Sequence, residues 1–133
     1  MGASIPATLT ITGTIQDSPS VGNPPGIPAP PIPLSQTFQL VSSGTTINFD
    51  LTSDSPQAVN LAQFANGVTV IFCETSGGYV DLTLTSADGT AQVIPVGPMA
   101  IICSTMGKPY TAISITRQAG TEVFAQLYLA YGS

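Results

Sequence analysis

Histidine and tryptophan are absent from this chain of 133 residues, and only 7% of its residues are charged. Without histidine, the chain lacks the most common general base and the most common metal ligand of proteins. The GxSxG, GxGxxG and P-loop patterns are also absent. We therefore expect no enzymatic activity, no cofactor and no metal.

Positive charge is especially scarce. Lys108 and Arg117 are the two basic residues, against seven acidic ones, which gives a net charge of −5. Two cations cannot form a basic patch, so we expect neither a nucleic-acid partner nor an anionic membrane surface. A surface with so few charges suits a protein that is paired with other chains, since soluble monomers carry more charge. The alternative is a secreted β domain that tolerates a neutral surface.

Cysteine is limited to Cys73 and Cys103, each inside an apolar pattern typical of a strand. They could form one disulfide if their strands are neighbours. The first residues, MGASIPATL, have no basic region and no long apolar stretch, so we expect no signal peptide. Free, buried thiols in a protein made in the cytosol are therefore the expectation. No apolar run is long enough for a transmembrane helix.

Proline is abundant instead, and it is concentrated near the start of the chain. Seven of the twelve prolines fall between Pro19 and Pro33, within the segment 18–34. Proline fixes φ and removes an amide donor, which excludes a helix or a central strand. The pattern predicts an extended, Pro-rich N-terminal arm, and fifteen residues in polyproline geometry would span about 45 Å. Such an arm could cross a subunit boundary, although it could also be a plain linker.

One alternating stretch, residues 7–16, precedes this arm. Leu9, Ile11 and Ile15 fall on one face and threonines on the other, which predicts a strand with one buried face. An isolated strand is unstable in water, so it must pair either with its own domain or with a neighbouring subunit. The residues that we predict to contact a partner or another subunit are Leu9, Ile11, Ile15, Pro24, Pro25, Ile27, Pro28, Pro30, Pro31, Ile32 and Pro33.

The remaining residues, 35–133, contain eight or nine short strand patterns spaced about ten residues apart. Asp88-Gly89 is a hairpin signal, and Pro95 indicates an edge strand or a bulge. The stretch 68–75 is almost entirely apolar, which favours a strand buried on both faces. The sequence therefore predicts an all-β fold: residues 1–34 form a strand and an arm, and residues 35–133 form an antiparallel β-sandwich of about eight strands, jelly-roll or immunoglobulin-like.

Asp50 and Asp54 are the closest pair of carboxylates in the second segment. They could bind calcium or act as paired acids, but their spacing matches no known calcium loop. A solvated strand end followed by a turn is the simpler interpretation.

The whole pattern resembles the cement or decoration proteins of tailed-phage capsids. The resemblance rests on the Pro-rich arm, the charge-poor β domain, and the sequences VTVIFCETSGGYVDLTLTS, MAIICST after a Gly-Pro turn, ISIT, Ala119-Gly120-Thr121 and FAQLYLAY. It implies a homotrimer that sits on the outside of an icosahedral shell and clamps subunits of the major capsid protein with its arms. The expected location is the capsid surface of the virion, after synthesis in the host cytoplasm. The alternative function is a carbohydrate-binding or adhesin-like β-sandwich module of a tail fibre or collar.

Overall fold

A computed structural model of the chain describes residues 7–15, 32–41 and 44–132. The described residues form ten strands and no helix, so none of them belongs to a helix long and apolar enough to cross a membrane. Contacts divide the chain into two compact units, one covering Thr8–Gln39 and the other covering Met1–Ala7 and Leu40–Ser133.

The smaller unit contains a two-stranded sheet. Its strands are β1 (Ala7–Ile15) and β2 (Ile32–Leu40), so β1 has a partner within its own chain. The second strand begins at Ile32 and therefore includes Pro33, which had been assigned to the arm. Proline is tolerated in such a strand because both strands of a two-stranded sheet are edges, where an amide can point away from the pairing partner.

The larger unit contains two four-stranded sheets. The first sheet has the order β3–β10–β5–β8 and the second has the order β4–β9–β6–β7. The bounds of the eight strands are β3 Thr45–Leu51, β4 Gln57–Ala58, β5 Val70–Ser76, β6 Val80–Ser86, β7 Ala91–Val96, β8 Met99–Cys103, β9 Tyr110–Arg117 and β10 Val123–Ala130. The predicted all-β sandwich of about eight strands is therefore confirmed.

The order of the strands selects one of the two predicted topologies. The β6–β7 hairpin is innermost, and β5–β8, β4–β9 and β3–β10 pair around it, each pair antiparallel. This nested arrangement is a long hairpin rolled over two sheets, which is the jelly-roll topology. The immunoglobulin-like alternative is wrong for this chain.

The core lies between the two sheets and is built by alternation. Val80, Leu82 and Leu84 of β6 are buried, as predicted, whereas the residues between them are only partly buried. The same holds for β10, where four alternate residues face the core: Val123, Ala125, Leu127 and Leu129. Because side chains alternate across a strand, each of these strands leaves its other face outside the core.

Strand β5 corrects one detail of the sequence analysis. Residues 68–75 were expected to be buried on both faces, but Phe72 is only partly buried and Glu74 is exposed. The inner residues Ile71 and Cys73 are fully buried. The outer side of β5 is therefore buried at Val70, near the start of the strand, and becomes exposed toward Glu74 and Ser76.

The hairpin turn predicted at Asp88-Gly89 is present. Gly89 has a φ of 89°, and Asp88 Oδ1 accepts a hydrogen bond of 2.9 Å from the amide of Thr90. An aspartate that bonds two residues ahead, followed by a glycine with positive φ, is a common closure for a hairpin. Pro95 lies in β7, the edge strand of the second sheet, as its sequence context predicted.

Thr69 fastens the end of the chain to the sandwich. Its fully buried side-chain hydroxyl donates to the carbonyl of Gly132 at 2.7 Å and accepts from the amide of Gly132 at 2.9 Å. The last residues after β10 are therefore fixed, because both polar backbone groups of Gly132 are satisfied by one side chain.

The two cysteines are free. Cys73 lies opposite Ala100 and Cys103 lies opposite Val70 in the register of β5 and β8. An offset of three residues puts the two sulfur atoms on opposite faces of the sheet, because side chains alternate. Free thiols are confirmed, although only Cys73 is buried.

Candidate docking surface

The side of the first sheet that faces away from the core combines exposed large apolar side chains with carboxylates. We call it the first outer face and define it by the outward side chains of β3, β10, β5 and β8. Strand register gives its rows, which are Thr46–Tyr128–Phe72–Ile101, then Asn48–Gln126–Glu74–Met99, and finally Asp50–Phe124–Ser76.

One side of the first outer face is apolar. Met99 is 57% exposed and Ile101 is 41% exposed on the edge strand β8, next to the half-buried ring of Phe72. Large apolar side chains exposed together on one sheet mark an interaction surface more often than those scattered singly.

The other side combines an aromatic ring with polar groups. A shallow depression of about 310 Å³ lies there, and its lining includes Asn48, Glu74, Ser76, Phe124 and Gln126. The register places Asp50 directly opposite Phe124 across β3 and β10. An open depression on a sheet suits part of a larger partner, or a flat ligand, better than an enclosed small molecule.

This side also carries excess negative charge. Glu122, just before β10, has a raised pKa because its carboxyl group shares a hydrogen bond with Asp50 and is repelled by that charge. Two carboxyl groups that share a hydrogen bond disfavour ionisation of both at once. Arg117 partly offsets this repulsion, because its positive charge lowers the pKa of Glu122.

The corresponding side of the second sheet is different, and we call it the second outer face. Its rows are Ala58–Ser114–Thr83–Val93 and Thr116–Asp81–Pro95. Small and hydroxyl side chains dominate these rows, and Asp81 is the one charged residue among them. Val93 is exposed but has no aromatic neighbour in its row.

Asp50 lies near the end of β3 and Asp54 lies in the loop that follows, and both are exposed, in agreement with a solvated strand end followed by a turn. Asp54 Oδ1 accepts a hydrogen bond of 2.9 Å from Arg117 Nε and one of 3.1 Å from the amide of Gly120. These bonds, the backbone one first, lower the pKa of Asp54. Asp50 interacts with Glu122 instead. No group of three or more cysteine, aspartate or glutamate residues that could hold a metal occurs in the described part of the chain.

The residues predicted to contact a partner fall in three places. Leu9 and Ile11 are partly buried on β1, and Ile15 is the last residue of that strand. Ile32 and Pro33 are exposed on β2. The others, Pro24, Pro25, Ile27, Pro28, Pro30 and Pro31, lie outside the described residues. Their role in contacting a partner stays a prediction.

Sequence reasoning did not assign the first outer face as a site. One signal was present, because Phe124 and Tyr128 alternate with the core residues of β10 and indicate that its second face also needs covering. The acidic and aromatic groups come from three different strands. Only the register of those strands brings Asp50, Glu74 and Phe124 together.

Comparisons with protein families, with curated proteins and with solved structures found no match to this chain. Its function must therefore be argued from its own residues.

Proposed function

We propose that this chain is a non-enzymatic virion structural protein, a cement protein that binds the outer surface of a phage head as a homotrimer and stabilises the shell. The partner would be the major capsid protein of the same virion. The jelly-roll architecture is compatible with this role, because viral capsid and lectin domains both use it. A fold alone does not determine a function, so the argument depends on the surfaces.

The observation that carries the proposal is the separate two-stranded sheet of β1 and β2. Neither strand belongs to either sheet of the sandwich. A two-stranded sheet has marginal stability in water. Each of its strands has a second edge, and the one described pairing there is the bridge between Leu40, the last residue of β2, and Gly132. An extra strand from another subunit would satisfy those edges through main-chain hydrogen bonds.

Side chains on this sheet support contact with another protein. Ile32 is 56% exposed and Leu34 is 47% exposed on β2. Leu9 and Ile11 on β1 are only partly buried. In a trimer or on a shell these side chains would fill apolar pockets, and many weak contacts over one shell would act together.

The scarcity of charge supports permanent assembly. The whole sequence has two basic side chains, and both form ion pairs within the chain, Lys108 with Asp88 and Arg117 with Asp54. A surface of this kind has little charge to keep copies of the chain apart or to keep it in solution as a monomer.

Binding to purified heads of the virus that encodes the chain tests this function. The variant Leu9→Asp/Ile11→Asp places charges on the half-buried face of β1, and we expect it to lose co-sedimentation with heads while the sandwich stays folded. Thr10→Asp is the matched control, because Thr10 is exposed on the same strand. Equal binding by the wild type and the double variant would refute the role of this sheet, and absence of binding by the wild type would refute the cement function.

A second candidate function is a carbohydrate-binding or adhesin-like module of a tail fibre or collar. One observation favours it, namely the exposed ring of Phe124 beside the carboxamides of Asn48 and Gln126 in the depression. Sugars commonly stack on aromatic rings and bond to such polar groups. The sequence contains no tryptophan, so a sugar could stack only on a phenylalanine or tyrosine ring. A glycan array on which the protein binds nothing would remove this candidate.

A further inference from the structure

Negative charge on the first outer face has no matching side-chain cation within this chain. Lys108 and Arg117 are the only basic residues in the sequence. Lys108 Nζ lies 3.4 Å from Asp88, and Arg117 Nε lies 2.9 Å from Asp54. Neither forms an ion pair with Asp50 or Glu74 among the described residues, so a side-chain cation that pairs with these two exposed carboxylates would come from another molecule.

Asp50 and Glu74 lie on the two strands that flank the exposed ring of Phe124. Asp50 is directly opposite Phe124, and such opposite side chains have Cβ atoms about 5 Å apart. Glu74 is diagonal to Phe124, since it pairs with Gln126 while Ser76 pairs with Phe124. Diagonal neighbours are about 7–8 Å apart, so one planar group could contact the ring and both carboxylates.

A guanidinium group fits this arrangement best. It is planar and always charged, it stacks on aromatic rings, and it donates paired hydrogen bonds to carboxylates. The carboxamides of Asn48 and Gln126 in the same depression could accept its remaining donors. An ammonium group could form the ion pairs but would not match the flat ring as well.

We propose that the first outer face docks an arginine-bearing segment of a partner protein, with one arginine side chain seated over Phe124 between Asp50 and Glu74. The exposed Met99 and Ile101 contact apolar residues of the same segment. This inference rests on the proposed function, in which the major capsid protein is the partner, and it identifies the surface that meets that partner.

Charge complementarity argues against a second copy of this chain as the occupant. A second copy offers only its own Lys108 and Arg117, and each of these already has a carboxylate partner. Two chains of net charge −5 would bury Asp50 and Glu74 without cations, which is costly. Like charges brought together are a standard means of excluding a wrong partner.

Titration of the full-length, isotope-labelled protein followed by NMR tests the proposal. The probe is N-acetyl-diarginine amide, and the matched probe is N-acetyl-dicitrulline amide, which has nearly the same shape but no charge. We expect the arginine probe to shift amides of β3, β10 and β5 around Asn48, Gln126 and Glu74, with binding that weakens as sodium chloride is added. We expect the citrulline probe to cause no comparable shifts.

Three variants locate the site. Glu74→Gln should weaken binding of the arginine probe by about two- to fivefold, the scale of one exposed ion pair. Phe124→Ala should weaken it by a similar factor through loss of the aromatic contact. Asp81→Asn, on the second outer face, should leave the affinity unchanged. Both Phe124 and Glu74 are exposed, so these variants should fold.

Several results would overturn the proposal. Equal shifts with the citrulline probe would remove the role of charge, and arginine-induced shifts elsewhere would remove this surface. Binding of a neutral saccharide to the depression without binding of arginine would favour the carbohydrate function instead. The outcome is separable from the proposed function. If heads bind the Glu74→Gln and Phe124→Ala variants as tightly as the wild type, this inference alone is contradicted. If the protein has the arginine site but never binds heads, the cement function alone is contradicted.

Discussion

The two outer faces of the sandwich are built by the same alternation but differ in content. The first outer face exposes Phe124, Met99 and Ile101 together with Asp50 and Glu74, whereas the second carries mainly threonine, serine and alanine. Neither set is needed to close the core, because the inner residues of both sheets are already buried. Exposed aromatic and charged residues therefore indicate a role for the first outer face outside folding.

The edges of the two sheets differ in the same way. β7, at the edge of the second sheet, contains Pro95, which blocks the addition of a further strand. β8, at the edge of the first sheet, is short and has no proline, and its outward residues are Met99, Ile101 and Cys103. The second sheet is thus protected at its β7 edge, while the first sheet presents apolar residues at its β8 edge and on its outer face.

The largest effect that sharpens this comparison concerns the two cysteines on opposite sides of the first sheet. Cys73 faces the core, where burial raises its pKa to about 11, and Cys103 is exposed on the outer face. We expect iodoacetamide to modify Cys103 in the native protein and Cys73 only when the sandwich opens, about a thousandfold slower or more. Mass spectrometry of timed samples measures both rates.

Although Cys103 is exposed, partial burial of its thiol raises its pKa, so its alkylation should be slower than that of a fully solvated thiol. A partner bound to the first outer face should slow it further. Comparable rates for Cys73 and Cys103 in the folded protein would contradict the assignment of the inner and outer faces.

The next effect compares the two sides of one strand. Leu127 is fully buried on the inner side of β10, and Leu127→Ala should lower the free energy of unfolding by about 2–5 kcal/mol. Phe124→Ala, on the outer side of the same strand, should change it by only about 0.5 kcal/mol, and so should Val93→Ala on the second outer face. Urea unfolding followed by circular dichroism measures these values.

A Phe124→Ala variant as unstable as Leu127→Ala would mean that the ring of Phe124 is part of the folding core. The exposure of Phe124 would then no longer support assigning the first outer face to a partner.

The smallest effect concerns the carboxyl pair at one end of the first outer face. Asp50→Asn removes the charge and the carboxyl partner that raise the pKa of Glu122, so that pKa should fall toward its ordinary value. The sign for stability follows from linkage. A raised pKa in the folded state means that Glu122 favours folding when protonated and that this contribution is lost as pH rises through its folded pKa.

Asp54 should behave in the opposite direction. Its pKa is lowered by the amide of Gly120 and by Arg117, so its contribution to stability is lost as pH falls through that lowered pKa. NMR titration of the carboxyl carbons measures both groups, with Asp81→Asn as the control for Asp50→Asn. An unchanged Glu122 titration in the Asp50→Asn variant would contradict the shared hydrogen bond.

Local patterns were sufficient to predict most strands and the side that each buries. The alternation of Val80, Leu82 and Leu84, and the Asp88-Gly89 hairpin, each depend on residues that are close in sequence. The choice of a jelly roll was not predictable in this way, since it depends on which distant strands pair. The start of β2 at Ile32 was missed because proline argues against strands in general, but less so at an edge.

The candidate site was harder to predict than the fold. Asp50, Glu74 and Phe124 are widely separated in the sequence, and no local spacing relates them. They become neighbours only because β10 lies between β3 and β5 in a fixed register. The nearest carboxylate pair in sequence, Asp50 and Asp54, forms no joint site: the two side chains bond to different residues, as the interpretation as a solvated strand end and turn expected.

The central claim is that this chain functions as an assembled structural protein, and its mass in solution tests that most directly. Light scattering coupled to size-exclusion chromatography should give about three times the chain mass of 13.6 kDa for the full-length protein, independent of concentration over the measured range. The Leu9→Asp/Ile11→Asp variant, compared with Thr10→Asp, shows whether the β1–β2 sheet holds the trimer together. A full-length protein that remains at 13.6 kDa at every concentration would contradict the proposed trimer.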